Sequence, residues 1–139
     1  MIEITPDPIP VAKLVELASD ESCGATVLFL GSTRRWTNGQ ETAYLEYEAY
    51  TEMALVKMQE LASEARTRWP VKKIILVHRV GKVDICEPSV AVVVSSPHRA
   101  EAFESGQWLI DELKKQVPIW KKEWFLAQGP AWIHPVPSE

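Results

Sequence analysis

Apolar residues recur along this chain with two different periods, which predict helices and strands in alternation. Over residues 52–69 they are spaced three and four positions apart, as on one face of a helix that Pro70 ends. Over residues 42–50 they alternate with polar residues, as in a strand with one buried face. Continuous apolar runs over residues 25–30 and 90–95 are typical of buried strands.

Weaker patterns predict the remaining elements. Ser96 and Pro97 suit the cap and the first position of a helix, because serine accepts a hydrogen bond from a free N–H and proline needs no acceptor there. The additional predictions are helices over residues 11–18 and 97–116 and strands over residues 73–80, 82–85 and 124–126.

The order of these elements predicts an α+β fold with a mostly antiparallel sheet and about three helices. The connections between the strands that follow Pro70 are too short for the crossovers that parallel strands need. The chain has no internal repeat, low-complexity tract or linker. We therefore expect one domain over residues 1–139, in which residues 128–139, rich in proline and glycine, form an irregular tail.

Composition and charge limit the class of protein. The chain has 139 residues, 46% of them hydrophobic, and a formal net charge of −4, which argues against a general nucleic-acid binder. No apolar run approaches the roughly 20 residues of a membrane span, and the N-terminus lacks the pattern of a signal peptide. Cys23 and Cys86 are too few for a disulfide framework. We expect a cytoplasmic protein that binds neither nucleic acid nor a membrane.

One segment concentrates positive charge in this acidic chain. Residues 111–123, D-E-L-K-K-Q-V-P-I-W-K-K-E, hold four of its 15 basic residues. Pro118 must break a helix, so the segment reads as a helix end, a turn and an extended stretch. A solvated helix end with a basic turn is the alternative interpretation. The four cations are Lys114, Lys115, Lys121 and Lys122.

Lys114 is the strongest candidate for a chemical role among these lysines. It follows Ile110 by four residues and so lies at the edge of the apolar helix stripe, whereas Lys115 is spaced for ordinary pairing with Glu112. Partial burial and neighbouring cations both lower the pKa of an amine, as a nucleophilic or proton-transferring lysine requires. In a strand, Lys121 and Glu123 would share one face.

Two other groups of basic residues suit an anion. His98 and Arg99 fall in the first turn of a predicted helix, where free N–H groups and the helix dipole already favour negative charge. Arg34 and Arg35 follow a predicted buried strand. Side chains that simply point to solvent are the alternative at both places.

The length of the last helix limits how these groups can cooperate. Lys114 follows Arg99 by 15 residues, which places them about 22 Å apart along one helix. The two side chains cannot reach one small ligand within a single chain. If both serve one pocket, two subunits must share it, which predicts a homodimer.

Several kinds of site have no support in the sequence. We find no phosphate-binding Walker loop, no dinucleotide-binding glycine pattern and no G-x-S-x-G motif. The histidines, His78, His98 and His134, are isolated, and His78 in an apolar strand suggests a structural role. We expect neither a metal nor a cofactor.

Five motifs together resemble the MoaE family, the large, catalytic subunits of molybdopterin synthase. They are F-L-G-S-T-R at 29–34, L-E-Y-E-A-Y at 45–50, H-R-V-G at 78–81, S-S-P-H-R-A-E-A-F at 95–103 and the lysine-rich segment at 111–123. The resemblance implies the α/β hammerhead fold of that family.

The resemblance also implies an activity and partners. Members of the family are sulfurtransferases that build the dithiolene of molybdopterin from cyclic pyranopterin monophosphate, in molybdenum cofactor biosynthesis. The sulfur arrives as a thiocarboxylate on the Gly-Gly tail of a small ubiquitin-like, MoaD-like subunit. Two small subunits flank a central homodimer, which makes a heterotetramer.

The family's functional residues transfer to this chain by motif. Lys114 would act as nucleophile or proton donor, with Lys121 assisting. Arg34, His98 and Arg99 would hold the phosphate and the pterin, and Arg34 is favoured over Arg35 as the inward-facing arginine. The full set of matching positions is Phe29, Ser32, Thr33, Arg34, His98, Arg99, Lys114, Lys121, Lys122 and Glu123.

A different class of function also fits the basic segment. A non-catalytic dimeric module that binds an anionic or phosphorylated partner would need the same cations. It gives no reason for Lys114 to lie at an apolar edge, or for Lys121 and Glu123 to share a face.

Overall fold

The computed structural model describes residues 1–127 and 129–133, and within them it contains three helices and nine strands. In chain order these are β1 (Ile2–Thr5), α1 (Val11–Leu17), β2 (Ala25–Ser32), β3 (Trp36–Thr37), β4 (Gln40–Ala49), α2 (Thr51–Arg68), β5 (Lys73–Arg79), β6 (Gly81–Asp84), β7 (Pro88–Ser96), α3 (Arg99–Gln116), β8 (Ile119–Phe125) and β9 (Gly129–Ile133). No helix in this part of the chain is long and apolar enough to cross a membrane.

The first sheet has the strand order β1-β5-β7-β2 and contains the main core. Residues of β5 and β7 alternate between its two faces, so that Leu76 and Val92 pack with α2 and α3 while Val77 and Val93 pack with α1. Because helices cover both faces, β5 and β7 are nearly continuous apolar runs rather than alternating ones.

The second sheet has the order β3-β4-β8-β9, with β6 also paired to β4. β4 and β8 are antiparallel, and Tyr47 lies opposite Lys121 and Leu45 opposite Glu123. The hairpin between β3 and β4 turns at Asn38 and Gly39, which both have positive φ, 50° and 79°. This is the geometry for which an Asn-Gly pair is favoured.

A break of two residues, Val117 and Pro118, joins α3, which packs on the first sheet, to β8 of the second sheet. α3 ends at Gln116, Val117 is extended with φ −84° and ψ 127°, and β8 begins at Ile119. The carbonyl of Pro118 accepts a hydrogen bond of 3.2 Å from the N–H of Tyr50, which fixes the break against the end of β4. The chain therefore reverses between the two lysine pairs, as the proline predicts.

The structure confirms the predicted α+β class, the three helices and the largely antiparallel pairing; β1 with β5 is a parallel pair. It also adds strands that the sequence patterns missed. β1 and β3 have only four and two residues, too few for a period to be visible. β8 spans Ile119–Phe125 rather than residues 124–126.

The prediction of an irregular tail over residues 128–139 is wrong for Gly129–Ile133, which pair with β8 as β9. Pro130 obscures this strand in the sequence, but a proline is tolerated at a sheet edge, where its missing N–H breaks no ladder. Residues 134–139, including His134, lie outside the described residues.

The packing of α3 on the first sheet generates a stability prediction at Gly106. A Cβ at this buried position would meet Val27 and Val94 methyl groups at 3.5 and 3.6 Å, ordinary contact distances. Gly106→Ala should therefore raise the free energy of unfolding by about 0.5–1 kcal/mol, because alanine loses less backbone entropy in a helix. Urea unfolding measures the change.

Gly31→Ala is the matched control. A Cβ at Gly31 would lie 2.7 Å from a methyl of the buried, branched Val90, so we expect destabilisation of about 1–3 kcal/mol. A Gly106→Ala protein less stable than wild type would contradict the packing described for α3.

Candidate active site

A cavity of about 970 Å³ lies between the two sheets, beside the last turn of α3. Its apolar wall includes Ile110, Leu113, Val117 and Ile119, contributed by α3, the break and β8. Its ionisable and hydroxyl-bearing lining includes Ser32, Arg34, Thr37, Tyr47, His78, Ser89, Lys114, Lys121 and Glu123.

Lys114 and Lys121 reach this cavity from opposite sides of the Pro118 break. Lys114 projects from the last turn of α3, on the side of the helix that presents Ile110 and Leu113. Lys121 projects from β8, opposite Tyr47 of β4. The helix end and the strand thus bring one lysine of each pair to the same space.

Positive charge dominates the described lining. Arg34, Lys114 and Lys121 are opposed by one carboxylate, that of Glu123. Cations set partly in an apolar wall attract anions more strongly than they would in open solvent, because the local dielectric constant is lower. The cavity is thus suited to an anionic ligand.

Glu123 is held in place by its own strand and by β4. Its side chain is buried, with 4% of the residue exposed, and its carboxylate accepts a hydrogen bond from the hydroxyl of Thr42. Lys121 and Glu123 share the cavity face of β8, as the alternation of a strand predicts.

Lys122 lies on the opposite face of β8 and does not line the cavity. Its ammonium sits over the rings of Trp124 and Trp132, 5.4 and 4.6 Å from their centroids. This placement satisfies the charge by cation–π contact.

The neighbouring Arg34 and Arg35 likewise lie in different surroundings. Arg34 lines the cavity, whereas the guanidinium of Arg35 pairs with the carboxylate of Glu41 at 3.1 Å. The structure therefore favours Arg34 as the inward-facing arginine.

The other sequence-predicted positions lie away from this cavity in the described chain. Phe29 is about one-third exposed on β2. Thr33 is buried, and its N–H and hydroxyl donate to the carbonyl of Glu87 at 3.2 and 3.4 Å. His98 and Arg99 are exposed at the start of α3, and Arg99 precedes Lys114 by 15 residues of that helix.

His78 lines the cavity, although the sequence suggested only a structural role. It is 5% exposed, its Nδ1 lies 2.8 Å from the carbonyl oxygen of Arg79, and its ring meets that of Tyr47 edge-on at 4.9 Å. The pKa of His78 is lowered to about 4, chiefly by burial and to a smaller extent by the positive charge of Lys114, while the hydrogen bond to the backbone of Arg79 acts in the opposite direction. The one sequence signal was a polar residue inside an apolar strand.

Metal ligation has no support in the described part of the chain, where no three His, Cys, Asp or Glu side chains are grouped to hold an ion. Cys23 and Cys86 are both free thiols. Cys86 has φ 72° at the turn between β6 and β7, a conformation that glycine adopts with less strain.

The depressed pKa of His78 predicts how stability changes with pH. The ring titrates near 6.5 when unfolded and near 4 when folded, so above pH 6.5 it is neutral in both states and has no effect. Between these values only the unfolded chain takes up the proton, so stability falls as pH falls, by up to about 3 kcal/mol.

Urea unfolding between about pH 7 and 4.5, for wild type and His78→Phe, isolates this contribution. The lost hydrogen bond to Arg79 shifts the variant by a constant, while the slope specific to His78 disappears. Parallel curves for the two proteins would contradict a buried, neutral imidazole.

Comparison with known proteins gives a consistent family. The family model described as MoaE protein matches residues 4–116. A molybdopterin synthase catalytic subunit of Drosophila melanogaster is 46% identical over 123 residues, 88% of this chain and 34% of that protein. The chain thus spans about one-third of the length of that relative.

Two further comparisons cover most of both chains. A molybdopterin synthase catalytic subunit of Culex quinquefasciatus is 46% identical over 129 residues, 92% of this chain and 82% of that protein. A crystal structure of molybdopterin synthase from Staphylococcus aureus superposes with a TM-score of 0.90 at 40% identity, covering 94% of this chain and 95% of that one.

Proposed function

The chain belongs to the MoaE family, and from that premise we propose that it is the catalytic subunit of a molybdopterin synthase. It transfers sulfur from the C-terminal thiocarboxylate of a small ubiquitin-like, MoaD-like partner to cyclic pyranopterin monophosphate, and so forms the dithiolene of molybdopterin. It works as one domain, in the cytoplasm, where its free thiols remain reduced.

The observation that carries this proposal is the convergence of Arg34, Lys114 and Lys121 on one cavity. The thiocarboxylate of the partner and the cyclic phosphate of the substrate are both anions, which repel each other in water. Three fixed cations offset that repulsion and hold both groups in one place.

The size and lining of the cavity support two occupants. A volume of about 970 Å³ is at the upper end for small-molecule sites. It gives room for a pterin beside the extended end of a Gly-Gly tail. The apolar wall contributed by Ile110 and Leu113 excludes water from the acyl–sulfur bond, which limits wasteful hydrolysis.

Lys114 is the residue we assign to the chemistry. It acts on the acyl–sulfur group either as a nucleophile or as a proton donor, and Lys121 across the cavity stabilises the negative charge that develops there. Glu123, whose carboxylate accepts a hydrogen bond from Thr42, lies on the same face of β8 as Lys121 and keeps that lysine oriented.

The exposed positions at the start of α3 enter the proposal through a second copy of the chain. Along one helix His98 and Arg99 lie about 22 Å from Lys114, too far to hold the same substrate. In a homodimer, the partner subunit would bring its equivalent side chains to the phosphate. Two small subunits then complete a heterotetramer.

Single-turnover conversion of cyclic pyranopterin monophosphate by the thiocarboxylated partner tests the proposal. Lys114→Ala should lower the rate by about 100-fold or more, because the group that acts on the acyl–sulfur bond is missing. Lys115→Ala is the matched control: Lys115 pairs with the carboxylate of Glu112 at 3.3 Å and is 48% exposed, so its loss should change the rate by less than about twofold.

Failure of folded, partner-bound wild type to form any dithiolene would overturn the proposed activity. A binding module for an anionic partner would then account for the cavity. Equal rates for Lys114→Ala and Lys115→Ala would leave the activity in place and overturn the role of Lys114.

A further inference from the structure

His78 occupies a part of the cavity wall to which the proposed reaction assigns no task. It comes from β5 of the first sheet, whereas Lys114 comes from α3 and Lys121 from the second sheet. A buried polar side chain at the meeting point of three elements is costly unless its polar atoms have partners.

The hydrogen bond to Arg79 fixes the tautomer of the ring. A backbone carbonyl oxygen can only accept, so the Nδ1 of His78, 2.8 Å from it, carries the proton. In a neutral imidazole the other nitrogen, Nε2, is then a pure acceptor. The edge-on ring of Tyr47 at 4.9 Å restrains the plane of the imidazole, so the lone pair of Nε2 points in one fixed direction.

Lys114 is the cation that acts on this imidazole. Both residues line the same cavity, and the positive charge of Lys114 is among the causes that lower the pKa of His78. The other ionisable groups of the cavity are Arg34, Tyr47, Lys121 and Glu123. With a pKa of about 4, His78 is uncharged at neutral pH and does not repel the ammonium.

We propose that His78 is a positioning residue whose Nε2 accepts a hydrogen bond from the amine of Lys114 and aims that amine at the bound acyl–sulfur group. The catalytic effect of this contact rests on the proposed function, but the contact between the two side chains does not. No proton moves from the lysine to the ring. An ordinary lysine has a pKa of about 10.4, so the imidazole is a weaker base by roughly six pH units.

Two variants separate this role from a structural one. The amide of His78→Asn can replace Nδ1 and keep the hydrogen bond to Arg79, but it has nothing at the position of Nε2. The longer His78→Gln reaches the position of Nε2 with an amide oxygen. Positioning therefore predicts that Gln retains single-turnover rates within about threefold of wild type, while Asn loses about 100-fold in rate with little change in substrate binding.

The reverse order of rates, with Asn as active as wild type and Gln inactive, would overturn the proposal, as would rates that simply follow the folded fraction of each variant. A pH profile of the wild-type rate provides a further condition. His78 holds no proton at Nε2 in this range. Any transition of the wild-type rate between about pH 6 and 8 should therefore also appear in the profile of His78→Gln.

Nitrogen NMR of the His78 ring tests the contact without any turnover. We expect a protonated Nδ1 and a bare Nε2 at neutral pH, and Lys114→Met should change the Nε2 resonance while leaving Nδ1 nearly unchanged. A proton on Nε2, or an Nε2 resonance that Lys114→Met leaves unchanged, would overturn the proposal. If wild type forms no dithiolene but the NMR result holds, the proposed function fails and the contact stands.

Discussion

The break at Pro118 is the constraint on which the geometry of the cavity depends. Without an N–H, and with its ring against the preceding residue, proline ends α3 at Gln116 and leaves Val117 extended. The chain then enters β8 within two residues. Lys114 on the last helical turn and Lys121 on the new strand consequently face the same space. A continuous helix would instead carry the second lysine away from the sheet.

The charges that line the cavity explain why it is suited to an anion. Arg34, Lys114 and Lys121 repel one another in a partly apolar cavity, and Glu123 compensates only part of their charge. The hydroxyl of Thr42 fixes that carboxylate between β4 and β8. The remaining positive charge favours a bound anion in the cavity, in agreement with the phosphate and the thiocarboxylate of the proposed reaction.

Local patterns were sufficient for the three helices, for most of the longer strands and for the lysines. The alternation of β8 predicts that Lys121 and Glu123 share a face, and the structure places both in the cavity, with Lys122 on the other side. The spacing from Ile110 likewise predicts the partly apolar setting of Lys114. Each of these inferences needs only the period of one element.

Pairing between distant segments was beyond such patterns. β9 forms by pairing with the edge of β8, and the sequence of Gly129–Ile133 alone contains no pattern that predicts a strand. The place of His78 in the cavity wall could not be predicted for the same reason, because it depends on Tyr47 and Lys114, which come from other elements. The role proposed for His98 and Arg99, at the far end of α3, requires a second chain, which the pattern of one helix cannot reveal.

A crystal structure of this protein bound to the proposed small ubiquitin-like partner tests the central claim most directly. The account predicts that the partner's C-terminal glycine ends inside the cavity, with its carboxyl group at about 3 Å, hydrogen-bonding distance, from the Nζ of Lys114 and with Lys121 on its other side. A tail that ends on another surface, or that enters with its carboxyl group beyond the reach of both lysines, would contradict it.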